Sequence, residues 1–323
     1  MYHIKRFFLL METNYNIPIL FVIFKRPDVT KVSFEQIKAV KPRKLYVVSD
    51  GPRSTVKDEL QLVEQTRRIV MDAIDWECEL HTDFRTENVG CGKGMYEAIS
   101  WFFKNEEMGI IIEDDCVAQP SFFPFMQEML TKYKDDSRIG LVAGFNGVSS
   151  KVQLPWSYCF SRYKATWGWG AWRRAWKHMD FDMVWRSDAC FKSVVCNMGY
   201  KSKDIAYWKY RIKLIDKAEV SAWDWQWFFS LSAQNQLTVF PCKSLVSNIG
   251  FGEGATHTGL VWGGDIICKD GDLSFPLIHP SVVCPYVDFE KAFYKYNNDL
   301  YTTLNRFVPL WFKHFVKKLL SRK

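Results

Sequence analysis

The amino-acid sequence predicts an α/β fold with a Rossmann-like, mostly parallel central sheet flanked by helices. Through the first 150 residues, short apolar runs suited to buried strands alternate with longer patterns suited to helices. This alternation is typical of β-α-β units. Polar residues follow several of the apolar runs, as expected where parallel strands end at a ligand-binding crevice.

Five apolar runs are predicted to be strands, because each is short and bounded by turn-forming or charged residues. In chain order they are "IPILFVIF" at 17–24, "KLYVVSD" at 44–50, "CELHTDFR" at 78–85, "GIIIED" at 109–114 and "IGLVAG" at 139–144. Helical patterns lie between them at 56–74, 94–103 and 121–133. The order of these elements predicts a series of parallel strands joined by helices.

The second half of the sequence differs in composition. Beyond residue 144 it is dense in tryptophan, as in "ATWGWGAWRRAWKHMDFDMVW" and "SAWDWQWFFS". No proline- or glycine-rich linker and no internal repeat separates the two halves. We therefore predict one domain whose second half covers the sheet and faces the substrate, with a split into two domains near residue 150 as the alternative.

Composition and charge argue against several classes of protein. The chain has 323 residues and a net charge of +7, but its Lys and Arg residues are interspersed with acids. This pattern argues against a nucleic-acid partner and favours phosphates of a small ligand or a lipid surface. The nine cysteines are never spaced as C-x-x-C, which argues against a disulfide framework and a zinc cluster. We expect a cytoplasmic protein with no membrane span and a leader at residues 1–15.

Polar segments follow three of the predicted strands: "FKRPD" after the first, "SDGPR" after the second and "EDD" after the fourth. Each segment alone would be consistent with an ordinary turn. Their recurrence at equivalent strand ends instead predicts one binding crevice.

The three consecutive acids at 113–115 end an otherwise apolar strand, where their repulsion and desolvation both cost free energy. A Mn²⁺ or Mg²⁺ ion would offset that cost, because hard cations take carboxylate oxygens together with water and substrate phosphates. The alternative is a solvated loop or an acid that caps the following helix.

The ordered set "FKRPD", "VSDGPR", "ENVGCGKGMYEAI", "IIIEDDC" and "SRYKATWGWGAWRRAW" resembles nucleotide-sugar glycosyltransferases of the GT-A fold. It is most similar to hemolytic-protein-like bacterial surface-glycan transferases of the family-two type, and its "EDD" element is similar to that of N-acetylglucosaminyltransferase I. The resemblance covers roughly residues 15–260. It implies a nucleotide-sugar-binding half at 16–150 and an acceptor-binding half at 151–290.

Carried onto this sequence, the resemblance implies a role for each matching residue. The implied donor-binding residues are Phe24, Lys25, Arg26, Pro27, Asp50, Gly51, Arg53, Asn88, Gly90, Lys93, Glu113 and Asp114. The implied metal ligands are Asp115 and His257, and the implied acceptor-binding residues are Arg162, Tyr163, Trp167 and Trp169. "GCGKG" matches neither a Walker A loop nor G-x-G-x-x-G.

Asp224 is the predicted catalytic base. It begins an otherwise apolar, aromatic helix in "SAWDWQWFF", and a dry setting raises the proton affinity of a carboxylate. The alternative is a helix cap, since Asp is a favoured capping residue.

The C-terminal segment at 291–323 ends in "RFVPLWFKHFVKKLLSRK", which interleaves basic and apolar residues without an acid. Such a basic amphipathic tail suits either an anionic membrane surface or docking on the protein body.

The sequence thus predicts a metal-dependent glycosyltransferase that moves a sugar from a nucleotide sugar to a glycan or lipid-linked glycan. The expected donor is a UDP-sugar, and the expected stereochemical outcome is inversion. Surface polysaccharide biosynthesis is the expected setting. Retention of configuration stays open, and so do two alternative functions. A sugar-phosphate nucleotidyltransferase would need glycines directly after the first strand, where "FKRPD" has none. A non-catalytic glycan-binding protein would leave the three acids and Asp224 without a role.

Overall fold

A sheet of eight strands lies at the centre of the computed structural model, which describes residues 15–250 and 271–298. Its strands, in spatial order, are β3 (Glu79–Phe84), β2 (Lys44–Ser49), β1 (Ile19–Ile23), β4 (Met108–Glu113), β8 (Trp169–Trp172), β6 (Ile139–Ala143), β9 (Leu237–Pro241) and β7 (Tyr158–Ser161). Four of the seven pairings in this sheet are parallel. The predicted α/β class with a mostly parallel central sheet is therefore confirmed.

The first four strands form the parallel part of the sheet. β1 pairs with β2 on one side and with β4 on the other, so that Ile19 is opposite both Leu45 and Ile110. All three of these side chains are fully buried. Continuous apolar runs are expected here, because helices cover both faces of a parallel sheet.

Strands from both halves of the chain share this sheet. β8 lies between β4 and β6, and β9 lies between β6 and β7. A separate ribbon pairs β5 (Cys116–Ala118) with β10 (Val246–Asn248). It brings Asn248 opposite Cys116, directly after the three acids.

Helices pack against the two faces of the sheet and form two apolar clusters. They are α1 (Pro27–Val40), α2 (Glu59–Ala73), α3 (Cys91–Asn105), α4 (Phe122–Lys132), α5 (Arg173–Trp176), α6 (Phe191–Cys196), α7 (Ser202–Asp216), α8 (Asp224–Ala233) and α9 (Val287–Asn297). β1 contributes to both clusters, since Leu20 faces one and Phe21 the other. The site described below therefore rests on a sheet packed on both sides.

Helix α1 was not predicted. Pro27 occupies its first turn, and proline is favoured at the first helical position because that position needs no backbone N–H donor. Phe34, Ile37 and Val40 form its buried stripe. The interpretation of "RPD" as a turn alone is wrong, because the proline begins a helix.

Within residues 15–250 and 271–298, no helix combines the length and apolarity that crossing a membrane requires.

Candidate active site

The carboxyl ends of β1 to β4 open into a cavity of about 360 Å³. Ten residues singled out in the sequence line it: Phe24, Arg26, Asp50, Arg53, Asn88, Gly90, Glu113, Asp114, Asp115 and Trp167. They meet because parallel strands end at the same edge of a sheet. The structure thus brings the strand-end segments together, while the role of each residue stays a prediction.

Arg26 partly neutralises the three acids at the end of β4. Its guanidinium donates hydrogen bonds to both carboxylate oxygens of Asp114, which is 4% exposed. Its Nη2 atom also lies 3.0 Å from Oδ2 of Asp115. Thr30 in α1 donates a further, longer hydrogen bond of 3.5 Å to Asp114. Asp114 is consequently held inside the protein, whereas Asp115 is the more exposed carboxylate of the two.

Asp115 is also contacted by the ribbon that follows it. Its Oδ1 atom accepts a hydrogen bond of 3.3 Å from the side-chain amide of Asn248. Gly250 passes so close that a Cβ there would lie 2.2 Å from Oδ2 of Asp115. The chain then enters residues 251–270, and the predicted ligand His257 lies in this segment, outside the described residues.

The donor set at Asp115 fits a hard divalent cation. Among the described residues there is no group of three or more His, Cys, Asp or Glu side chains arranged to hold a metal. Magnesium-type sites commonly use one or two carboxylates and complete the shell with water and phosphate oxygens. Asp115, with Glu113 also lining the cavity, meets that requirement.

The acids in and near the cavity raise one another's pKa values. Burial raises the pKa of Glu113 well above its usual range, and repulsion from Asp115, Asp114 and Asp224 raises it further, against the opposing effect of Arg26. A bound cation would relieve this repulsion. Asp224 does not line the cavity, but Ser221, three residues before it, does.

The pKa of Asp224 is itself raised by burial, and Arg211 and the first backbone amides of α8 oppose that rise. A carboxyl group in such a setting holds a proton more tightly than one in water. This is the environment that the sequence predicted for the catalytic base.

Asp50 organises the loop that leads into α3. Its Oδ1 atom accepts hydrogen bonds from the backbone N–H groups of Gly51 and Val89, at 2.9 and 3.1 Å. Its Oδ2 atom accepts one from the N–H group of Gly90, at 3.1 Å. Asp50 therefore links the end of β2 to the start of α3 while its side chain lines the cavity.

Gly51 permits a close approach between two loops. A Cβ at this position would lie 2.4 Å from the backbone of Glu87. Any residue other than glycine would therefore displace that backbone. Asn88 reinforces the contact by donating a hydrogen bond of 2.8 Å to the Gly51 carbonyl. Gly51 thus shapes the cavity from behind rather than from its wall.

Glu59, which was not predicted, holds two of the predicted donor-binding residues. It is 1% exposed and accepts hydrogen bonds from Lys25 Nζ at 2.6 Å and from the backbone N–H group of Arg53 at 2.7 Å. The Arg53 guanidinium binds the same carboxylate. Lys25 therefore points to Glu59 and does not line the cavity, whereas Arg53 does both.

We expect Glu59→Gln to destabilise the fold at neutral pH. Hydrogen bonds from Arg53 and Lys25 lower the pKa of Glu59 to about 2, so ionised Glu59 contributes stability above the ordinary glutamate pKa. That contribution is lost as pH falls from about 4 towards 2. With allowance for the partly exposed Arg53, the loss is about 1–2 kcal/mol. Urea unfolding at pH 7 and pH 2.5 would measure it.

The matched control is Glu64→Gln in the same helix, because Glu64 is about half exposed and pairs with Arg67 across one turn. We expect this control to change stability little at either pH. A stability gap between wild type and Glu59→Gln that stayed the same at both pH values would contradict the assigned pKa.

Four further polar residues of the cavity were missed by sequence reasoning: Arg85, Cys91, Ser221 and Asn248. Arg85 directly follows β3, and its Nη1 atom is buried without a hydrogen-bond partner among the described residues. Its Nη2 atom lies 2.9 Å from Glu97. Arg85 could have been found from its position in the sequence, because it stands at the end of a predicted strand, as the "EDD" segment does.

Ser221 joins the loop before Asp224 to the start of α3. Its hydroxyl oxygen accepts a hydrogen bond of 3.0 Å from the N–H group of Gly92. A Cβ on Gly92 would lie 2.7 Å from that oxygen, so glycine is needed for the contact. The predicted base is thereby held next to the cavity by a contact between distant segments of the chain.

Four predicted residues lie away from the cavity walls. Pro27 is inside α1, and Lys93 is exposed with its Nζ atom 3.7 Å from Glu97. Arg162 pairs with the buried Glu290 at 3.3 Å. Tyr163 is 3% exposed and donates a hydrogen bond of 2.7 Å to Asp204. Arg162 and Tyr163 thus contribute to a polar network beneath α9 and α7. Tyr163 is too deeply buried for direct contact with an acceptor, whereas the acceptor role of the exposed Arg162 stays a prediction.

Acceptor stacking on Trp169 is wrong. Trp169 is fully buried and lies between the rings of other tryptophans, with its centroid 5.8 Å from that of Trp223. Large aromatics are commonly buried, because their area contributes much to the stability of the core. Trp167, by contrast, is half-buried and lines the cavity.

Comparisons with known proteins give distant structural likenesses only. No protein-family model matches the chain, and no curated protein matches it. Mouse xyloside xylosyltransferase 1 is similar with a TM-score of 0.31 and 11% identity, over 70% of this chain and 84% of that one. A UDP-glucose pyrophosphorylase in complex with UDP-glucose gives a TM-score of 0.26 and 10% identity, over 45% and 62%.

The 4-diphosphocytidyl-2C-methyl-D-erythritol synthase of Anaerococcus prevotii is similar with a TM-score of 0.32 and 9% identity, over 68% of this chain and 99% of that one. All of these scores are too low to support an argument about function. The function proposed below depends on the residues of this chain.

Proposed function

We propose that the chain is a metal-dependent, inverting glycosyltransferase of the GT-A type. Its donor would be a nucleotide sugar, and we propose a UDP-sugar. Its acceptor would be a glycan or lipid-linked glycan in surface polysaccharide biosynthesis. The lipid-linked acceptor and a peripheral position on the inner face of the membrane depend on the basic sequence at 299–323, which lies outside the described residues.

One observation carries this proposal. A single cavity at the ends of four parallel strands is lined by three arginines, Arg26, Arg53 and Arg85, and by four carboxylates. A nucleoside diphosphate with a divalent cation carries both kinds of charge that such a cavity can bind. A neutral ligand would offer these charged side chains no opposite charge.

Asp224 supplies the chemistry next to that cavity. In the proposed reaction its carboxylate takes the proton of an acceptor hydroxyl, whose oxygen forms a bond to C1 of the donor sugar. The bond from C1 to the diphosphate breaks with its electron pair, and the nucleoside diphosphate leaves. A Mn²⁺ or Mg²⁺ ion at Asp115 would neutralise the leaving group, and the cavity arginines would add positive charge beside it.

The test is release of nucleoside diphosphate from UDP-, GDP- and dTDP-sugars without acceptor, in Mn²⁺ or in EDTA. We expect slow release from one donor that is lost in EDTA. Pyrophosphate release from a nucleoside triphosphate and a sugar 1-phosphate, without diphosphate release, would favour a nucleotidyltransferase. A chain that bound none of these donors, with or without Mn²⁺, would contradict the enzyme proposal.

A further inference from the structure

A cluster of aromatic rings around one arginine lies beside the predicted base. Trp225 directly follows Asp224 in α8, and the guanidinium carbon of Arg211 in α7 lies 3.9 Å from the centre of its ring system. The same carbon lies 4.4 Å from the ring centre of Tyr207 and 5.9 Å from that of Trp208. We call Tyr207, Trp208, Arg211 and Trp225 the aromatic platform.

Asp224 is the link between the platform and the cavity. On one side, Ser221 lies three residues before Asp224, lines the cavity and accepts a hydrogen bond of 3.0 Å from the N–H group of Gly92. On the other side, Arg211 is the cation that lowers the pKa of Asp224. The platform therefore begins at Trp225, the residue that directly follows the predicted base.

The platform residues are accessible, unlike most tryptophans of this half of the chain. All four are half-buried, whereas Trp169, Trp223 and Trp227 have at most 4% of their surface exposed. Partly exposed aromatic rings, combined with arginine, are typical of recognition surfaces. Contacts with Arg211 also fix the orientation of the rings, which reduces the ordering cost of binding a rigid ligand.

We propose that Tyr207, Arg211 and Trp225 form the acceptor subsite, and that its ligand is a carbohydrate ring. The C–H face of that ring packs on the aromatic surface while one of its hydroxyl groups reaches Asp224. This inference depends on the proposed glycosyltransferase function, and it replaces the acceptor role that the sequence assigned to Trp169.

The test compares Trp225→Leu with Trp156→Leu. Trp156 is also half-buried, but it packs against Tyr286 beside the edge strand β7, so it controls for the loss of any partly exposed tryptophan. The probes are methyl glycosides of glucose, galactose and N-acetylglucosamine, with binding followed by saturation-transfer NMR and transfer followed by kinetics. Methyl glycosides are suitable because their aglycone cannot itself stack on a ring.

We expect Trp225→Leu to weaken glycoside binding, and to raise the acceptor KM, by about tenfold. The rise should be larger for the acceptor KM than for the donor KM. Arg211→Met should act in the same direction without removing a ring. The Trp156→Leu protein should behave like wild type in every assay.

The outcomes separate this inference from the proposed function. Equal glycoside binding by wild type, Trp225→Leu and Trp156→Leu would overturn the platform, and so would a wild type that bound no glycoside. Glycoside binding that depended on Trp225 in a protein without any donor turnover would instead overturn the enzyme proposal. The platform would then be a glycan-binding surface.

Discussion

Asp224→Asn is expected to lower the kcat of sugar transfer by about 10³-fold, which is within the range for removal of a general base. The amide has nearly the shape of the carboxylate but cannot take the acceptor proton. Nucleotide binding should be unchanged, because Asp224 does not line the donor cavity. Single-turnover transfer together with isothermal titration of nucleoside diphosphate would measure both effects.

The pH dependence should follow the same residue. Asp224 acts as a base only when it is ionised, so transfer is lost as pH falls through its pKa. Burial raises that pKa, and the loss should therefore begin at a higher pH than for an ordinary aspartate. Arg211→Met should move the onset higher still, because Arg211 favours the ionised form.

The helix-cap alternative makes the opposite prediction for Asp224→Asn, since asparagine caps helices as well as aspartate does. The matched control is Asp288→Asn, in which an exposed acid of the first turn of α9 is neutralised. We expect full activity from this control. Equal activity of the two variants would leave Asp224 with a structural role only.

The parallel half of the fold could be predicted because burial on both faces leaves a strong signal. β1 and β4 appear in the sequence as continuous apolar runs that end in charged residues, and each observed boundary lies within two residues of the predicted one. β7 and β8 were not predicted. Each has only four residues, and Trp169 of β8 was interpreted as an acceptor-stacking residue although it is fully buried.

The candidate site could be predicted only where position along a strand determines position in space. Arg26, Asp50 and Asp115 follow parallel strands and therefore meet in the cavity. Glu59 and the aromatic platform could not be found in this way, because they depend on tertiary packing. The contact of Arg211 in α7 with Trp225 in α8, for example, leaves no periodic pattern in the sequence.

Asp115→Ala is expected to abolish Mn²⁺-dependent binding of nucleoside diphosphate, with a loss of affinity of at least about 100-fold. Asp115 is the acid that is more exposed to the cavity, while Arg26 and Thr30 hold Asp114 in the interior. In the variant, the cation would keep only the carboxylate of Glu113. Burial disfavours the ionised form of that carboxylate. Titration of UDP with and without Mn²⁺, on wild type and variant, would measure the change.

Stability measured without metal distinguishes a lost ligand from a damaged fold. Removing Asp115 breaks its contacts with Arg26 and Asn248 but also relieves its repulsion of Glu113. These effects oppose each other, so unfolding of the metal-free variant should stay within about 1 kcal/mol of wild type. Mn²⁺ with UDP should then raise the melting temperature of wild type but not that of Asp115→Ala, because a ligand stabilises just the state that binds it. The control Asp135→Ala, which removes an acid with 88% of its side chain exposed, should keep the full shift. A Mn²⁺-dependent shift of equal size in Asp115→Ala would place the cation elsewhere and contradict the role of the strand-end acid.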